Sequence, residues 1–160
     1  MQLNEYVQPT TILIAEDDPD DRFLTQKAFE EAQLTNTLQF VDNGEALLDY
    51  LYRRGQYANP NDAPRPSLIL LDLNMPKIDG REALAEIKTN PNLRQIPIVI
   101  FSTSRAEKDI YNTYDLGASS FITKPVTFDA LVEIMQTLGK YWFKIVKLPP
   151  QEGKGYGYSV

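Results

Sequence analysis

The chain contains neither cysteine nor histidine. Without cysteine there is no disulfide framework, no thiolate nucleophile and no zinc knuckle, a usage expected of the reducing cytoplasm. Without histidine the chain cannot build a Ser-His-Asp triad, an HExxH metalloprotease site or a phosphohistidine donor of its own. Basic residues are also few: 16 Lys and Arg against 22 Asp and Glu leave a formal charge of -6. No basic run occurs, which argues against a surface for nucleic-acid phosphates. The longest apolar stretches reach only about a strand's length, and the opening MQLNEYVQPT has neither a charged n-region nor an apolar h-region. These absences lead to the expectation of a soluble cytoplasmic protein with no membrane span and no nucleic-acid partner. At 160 residues, 42% apolar and 11% aromatic, the chain suits one domain with a real core.

Strand-like runs rich in Ile, Leu and Val alternate with segments of helical period, the pattern of repeated βα units around a parallel sheet. Five units can be counted. The first strand, near 11–16, leads into DPDD, where Asp18 suits a helix cap, Pro19 the first helical position, and Asp20 and Asp21 the positive end of the dipole. LQFV at 38–41 precedes Asp42-Asn43-Gly44 and a helix carrying Ala46, Leu47, Tyr50 and Leu51, and the Gly, Asn and Pro of 55–66 mark a loop. The third strand runs into Asp72, the fourth is IPIVIF with a helix from about 105 to 116 ending at Gly117, and the fifth is SFIT. Leu131, Ile134, Met135 and Leu138 line the closing helix. The expected fold is a doubly wound α/β sheet of five parallel strands, order 2-1-3-4-5, flanked by helices.

In such a sheet ligands bind at the carboxyl ends of the strands, which here gathers Glu16, Asp17, Asp72, Ser102 and Lys124. Three carboxylates held together repel one another unless a cation joins them, so the set predicts a bound divalent ion. Asp72 follows directly on the apolar LILL run, an expensive place for an unpaired carboxylate, and is the candidate nucleophile toward a phosphoryl group, with Lys124 and Ser102 on the remaining oxygens. Asp18, Asp20, Asp21, Asp42 and Asp79 read instead as caps and solvated loop acids.

ILIAEDD, LILLDLNMPKIDG, IVIFSTS and FITKPV, in this order and spacing, resemble the receiver domains of two-component response regulators, over about residues 11–140. The resemblance implies a flavodoxin-like fold, Asp72 as phosphoacceptor, Asp17 as a direct ligand of Mg2+ or Mn2+, Glu16 as a ligand through water, and the Asn74 backbone carbonyl completing the set. It implies Ser102 as the switch hydroxyl, although the neighbouring Thr103 is an alternative that register disfavours. Lys124 becomes the phosphate-binding cation, with a cis bond to Pro125. Phe121 takes the aromatic switch position, where it can act only by steric fit. The same residue also fits a core role.

The long 55–66 loop and the YWFKIVKLPP ending resemble more narrowly the single-domain regulators paired with cyanobacterial and other bacterial phytochrome histidine kinases. That resemblance implies a phosphohistidine on a light-sensing kinase as donor and a signalling protein rather than a turnover enzyme, apart from its own phosphotransfer and slow dephosphorylation. The expected division is an N-terminal tail at 1–10, the receiver at 11–140 and an extension at 141–160. Tyr111, Tyr114, Phe128, Tyr141, Trp142 and Phe143 are candidates for a homodimer face, Trp142 and Phe143 being equally suited to fold back on the core. Two other functions are compatible with the residues: an aspartate-nucleophile phosphohydrolase, although its required acid two positions on is Asn74, and a receiver-like adaptor that works without phosphorylation.

Overall fold

The apolar runs pair side by side. In the computed structural model, which describes residues 10–150, five strands form one sheet: β1 (Thr11–Ala15), β2 (Thr37–Val41), β3 (Leu68–Leu71), β4 (Ile98–Ser102) and β5 (Ser120–Thr123). The order is β2-β1-β3-β4-β5 and every pairing is parallel, as expected. Five helices connect and cover it: α1 (Pro19–Glu31), α2 (Gly44–Tyr52), α3 (Gly80–Thr89), α4 (Glu107–Asp115) and α5 (Phe128–Lys140). Residues 1–9 of the expected N-terminal tail and 151–160 of the extension lie outside the described residues.

Period-two alternation divides the strands between two cores. Leu13, Ile69, Leu71, Ile98 and Ile100 face Leu47, Leu48, Leu84 and Ile87 of α2 and α3. On the other side Ile12, Ile14, Leu68, Leu70, Val99 and Phe101 face Ala28 and Phe29 of α1 and Leu131, Met135 and Leu138 of α5. A sheet covered on both faces explains why its central strands are apolar throughout rather than alternating.

The connections at the carboxyl edge follow from local chemistry. Asp18 caps α1, accepting from the backbone N–H of Asp20 and Asp21, with Pro19 in the first turn. Asn43 and Asp79 cap α2 and α3 in the same way. Gly117, at φ +111, follows the last turn of α4 in the left-handed region, as its position predicts. The 55–66 segment is more ordered than its composition suggests: it holds two 3-10 turns, Gly55–Tyr57 and Pro60–Asp62, and the buried Tyr50 donates its hydroxyl to Pro64 O at 2.7 Å. Beyond α5 the chain continues as a π-helical turn, Tyr141–Ile145, so the extension begins as an outgrowth of the last helix.

Candidate functional site

β1, β3, β4 and β5 end on the same edge, and each delivers a polar side chain there. Asp72 follows β3 with its N–H on Ala15 O at 3.1 Å, which fixes it beside the end of β1. Glu16 follows β1, its N–H on Val41 O at 2.9 Å. Lys124 follows β5, its N–H on Ser102 O at 2.8 Å. Two glycines let the neighbouring loops close in. A Cβ on Gly80 would lie 2.3 Å from Asp72 O, and one on Gly44 would lie 1.8 Å from Ile78 O. Only a residue without a side chain allows α2 and α3 to start this close to the 73–79 loop.

Glu16, Asp17 and Asp72 each place a carboxylate oxygen within 4.8 Å of the others. Glu16 and Asp72 are buried and Asp17 is exposed. Asp72 Oδ1 accepts from the Asn74 N–H at 3.1 Å, and Oδ2 accepts from Lys124 Nζ at 2.9 Å. Lys124 also donates to Glu16 Oε1 and, at 3.0 Å, to Asp21 Oδ2, so one ammonium serves three acids. Burial works against its charge, but the hydrogen bonds to Glu16 and Asp72 outweigh this and raise its pKa above the ordinary lysine value. Burial pushes the Glu16 carboxyl up to about 7, against the lowering effect of Lys124 and of the Asp18 N–H.

The donor set consists of hard carboxylate oxygens with no nitrogen or sulfur, and its negative charge exceeds what one lysine neutralises. That chemistry fits a small divalent cation such as Mg2+ or Mn2+.

The remaining predicted residues fall as follows. Ser102 is fully buried at the end of β4, its Oγ accepting from the Ser104 N–H at 3.2 Å, while Thr103 is exposed. Phe121 is half-buried on β5 against the α2/α3 core, and its N–H donates to the Tyr114 hydroxyl at 3.2 Å. Tyr111, Tyr114, Phe128 and Tyr141 are exposed, whereas Trp142 and Phe143 are half-buried against the α1/α5 core. The expected cis bond before Pro125 is corrected: no cis peptide occurs among the described residues, and Lys124 meets the acids from a trans linkage, the lower-energy form of an X-Pro bond. The contact of Asp21 with Lys124 was not anticipated, since two acids in a first turn signal only dipole compensation.

Comparison with known proteins bears on the whole arrangement. The profile of the response regulator receiver domain matches residues 12–136. The response regulator Rcp1 of Synechocystis is 40% identical over 141 residues, which cover 88% of this chain and 94% of that one. Among solved structures, the phosphorylated cyanobacterial phytochrome response regulator RcpA superposes with a TM-score of 0.83 at 40% identity, over 89% of this chain and 100% of that one. The Mn2+-bound form of Rcp1 gives 0.80 at 39% identity over the same shares.

Proposed function

Because the chain belongs to the response regulator receiver family and is homologous to phytochrome response regulators, we propose that Asp72 is the residue on which it accepts a phosphoryl group. It is a phosphoacceptor signalling protein of two-component systems, and a histidine kinase is its partner. Asp72 is buried, bonded to Lys124 and within 4.8 Å of two further carboxylates, features that Glu16 shares; what supports Asp72 above Glu16 is its place directly after β3, the middle strand of the sheet, between the ends of β1 and β4.

Glu16, Asp17, Asp72 and the Asn74 carbonyl would hold Mg2+ or Mn2+, with Glu16 acting through water, and the bound cation supplies neutralisation of the phosphoryl oxygens. One Asp72 oxygen attacks phosphorus, the P–N bond of the donor phosphohistidine breaks, and its electron pair stays on the imidazole. Lys124 Nζ, already within reach of Asp72 Oδ2, takes a phosphoryl oxygen and holds it as charge spreads. Ser102, with Thr103 exposed beside it, supplies the hydroxyl that turns toward the new charge, and Phe121 follows by steric fit. Hydrolysis of the acyl phosphate in the same crevice resets the protein without making it a turnover enzyme.

Exposed apolar side chains flank the crevice: Leu24 from α1, with Val126 and Phe128 after Lys124. They offer a kinase a place to dock beside Asp72. By likeness to RcpA and Rcp1 the donor is a phytochrome histidine kinase. No described helix is long and apolar enough to cross a membrane, in keeping with a working place in the cytoplasm. The receiver at 11–140 is the switching unit, and the extension with Tyr111, Tyr114, Phe128, Tyr141, Trp142 and Phe143 forms a homodimer face rather than a nucleic-acid surface.

Incubation with acetyl phosphate and Mg2+, followed by intact mass, is expected to give one phosphoryl adduct that EDTA prevents and Asp72→Asn abolishes. An adduct of equal yield in Asp72→Asn would overturn the assignment.

A further inference from the structure

Beside the phosphoacceptor crevice, outside the acid cluster, a second polar network runs on from the switch hydroxyl through residues that the phosphotransfer chemistry leaves unused. It begins at Ser102, whose buried Oγ accepts from the Ser104 N–H at 3.2 Å. Ser104 Oγ in turn donates to Asp109 Oδ2 at 2.6 Å and accepts from the Ala106 N–H at 3.3 Å. The other oxygen of Asp109 receives Arg81, with Nε at 3.2 Å and Nη2 at 3.0 Å. Ser104 first and Arg81 second hold the Asp109 carboxyl below its usual pKa, so it stands ionised as an acceptor of charge-assisted bonds.

The far end of the network is rigid. Arg81 is the second residue of α3, whose first turn is capped by Asp79 through the N–H groups of Arg81 at 2.8 Å and Glu82 at 3.1 Å. The Gly80 N–H is bonded to Leu73 O at 2.9 Å, one residue beyond Asp72. A continuous path therefore joins the end of β4 to the loop that carries the phosphoacceptor. For Ser102 to turn toward a phosphoryl group on Asp72, its Oγ must leave the Ser104 N–H, which strands that donor unless the 103–106 segment moves as well. Movement of the segment is opposed by the Ser104–Asp109 bond and, behind it, by the pairing of Asp109 with Arg81.

We propose that Ser104, Asp109 and Arg81 form a latch that holds the β4–α4 loop in its unphosphorylated arrangement, so that the latch must open for Ser102 to reach the phosphoryl group. The three are positioning residues: none touches the reacting atoms. The proposal rests on Asp72 as phosphoacceptor and Ser102 as the switch hydroxyl. If switching is a shift between two preexisting arrangements, loosening the latch raises the population of the competent one and speeds adduct formation. A role confined to holding the fold together predicts the reverse, slower adduct formation with lower stability.

The test measures the rate of adduct formation with acetyl phosphate at saturating Mg2+, by intact mass, in Arg81→Ala, Asp109→Ala, their double mutant and Ser104→Ala. Ser104→Ala removes one hydroxyl and keeps both charges, so it reports on the latch even where loss of the ion pair impairs folding. Each single variant is expected to react about fivefold faster than wild type, the double no faster than either single, and Arg81→Lys to return toward the wild-type rate. Unchanged or slower rates, or singles that multiply in the double, would overturn the latch while leaving Asp72 in place. A wild-type protein that forms no adduct, or one that Asp72→Asn forms equally, removes both proposals together.

Discussion

Lys124 is the residue on which the metal-free site depends, because a single ammonium with side-chain exposure of 11% answers Glu16, Asp21 and Asp72. The arrangement carries surplus negative charge, so its acids and its lysine are not equivalent. Removing one acid relieves repulsion, whereas removing the lysine leaves buried carboxylates unpaired. In EDTA, urea unfolding is expected to show Lys124→Ala destabilised by about 3 kcal/mol and Asp72→Asn stabilised by about 1 kcal/mol. A loss of stability in Asp72→Asn would show that the lysine, not the surplus charge, dominates. At this scale the sequence was informative about Asp72, Glu16, Asp17 and Lys124, since a carboxylate or ammonium closing an apolar run needs a partner. It was silent about Asp21, which reaches Lys124 only because β5 ends above the first turn of α1. It was silent as well about the Ser104–Asp109–Arg81 path, three ordinary surface residue types that meet only where the first turns of α3 and α4 approach each other.

At the level of elements, caps and glycines do most of the placing. Asp18, Asn43 and Asp79 each start a helix at the carboxyl edge, and the first was legible because a Pro follows it. In the sequence Gly44 stood out only as the residue before a helix, yet its role is tertiary: the start of α2 lies against the Ile78 carbonyl with no room for a methyl group. Gly44→Ala is expected to cost about 3 kcal/mol by urea unfolding and to weaken Mg2+ binding, because the 73–79 loop that frames Asp72 must shift to admit the Cβ. Unchanged Mg2+ affinity in a destabilised Gly44→Ala would separate that loop from the site. Sequence periodicity placed the five strands to within about two residues and alternated them with helical segments in the observed order, the expected 105–116 helix shortening to Glu107–Asp115. It failed where hydrogen-bond pattern rather than burial decides, at the 3-10 turns of 55–66 and the π turn Tyr141–Ile145, since neither has a hydrophobic period of its own.

For the molecule as a whole, the two-sided core and the strand order were readable because apolar runs of strand length alternate with helical stripes, and few topologies satisfy that alternation. The assembly was less readable, because an exposed aromatic is the same letter as a buried one. Trp142 and Phe143 lean on the α1/α5 core, whereas Tyr111, Tyr114 and Tyr141 stay exposed. If the α4, β5 and extension face pairs two copies, sedimentation velocity at micromolar concentration will give a dimer that Tyr141→Glu converts to monomer. Monomeric sedimentation of the wild type, with and without beryllofluoride, would exclude it.

The crevice joins Glu16 to Lys124 across 108 positions of chain. Such distant partners meet only when β1, β3, β4 and β5 lie side by side, a closure of large sequence separation and so a slow one. A polypeptide still emerging from the ribosome therefore carries its acids without their lysine, and it becomes competent to receive a signal only when its fifth strand has been added.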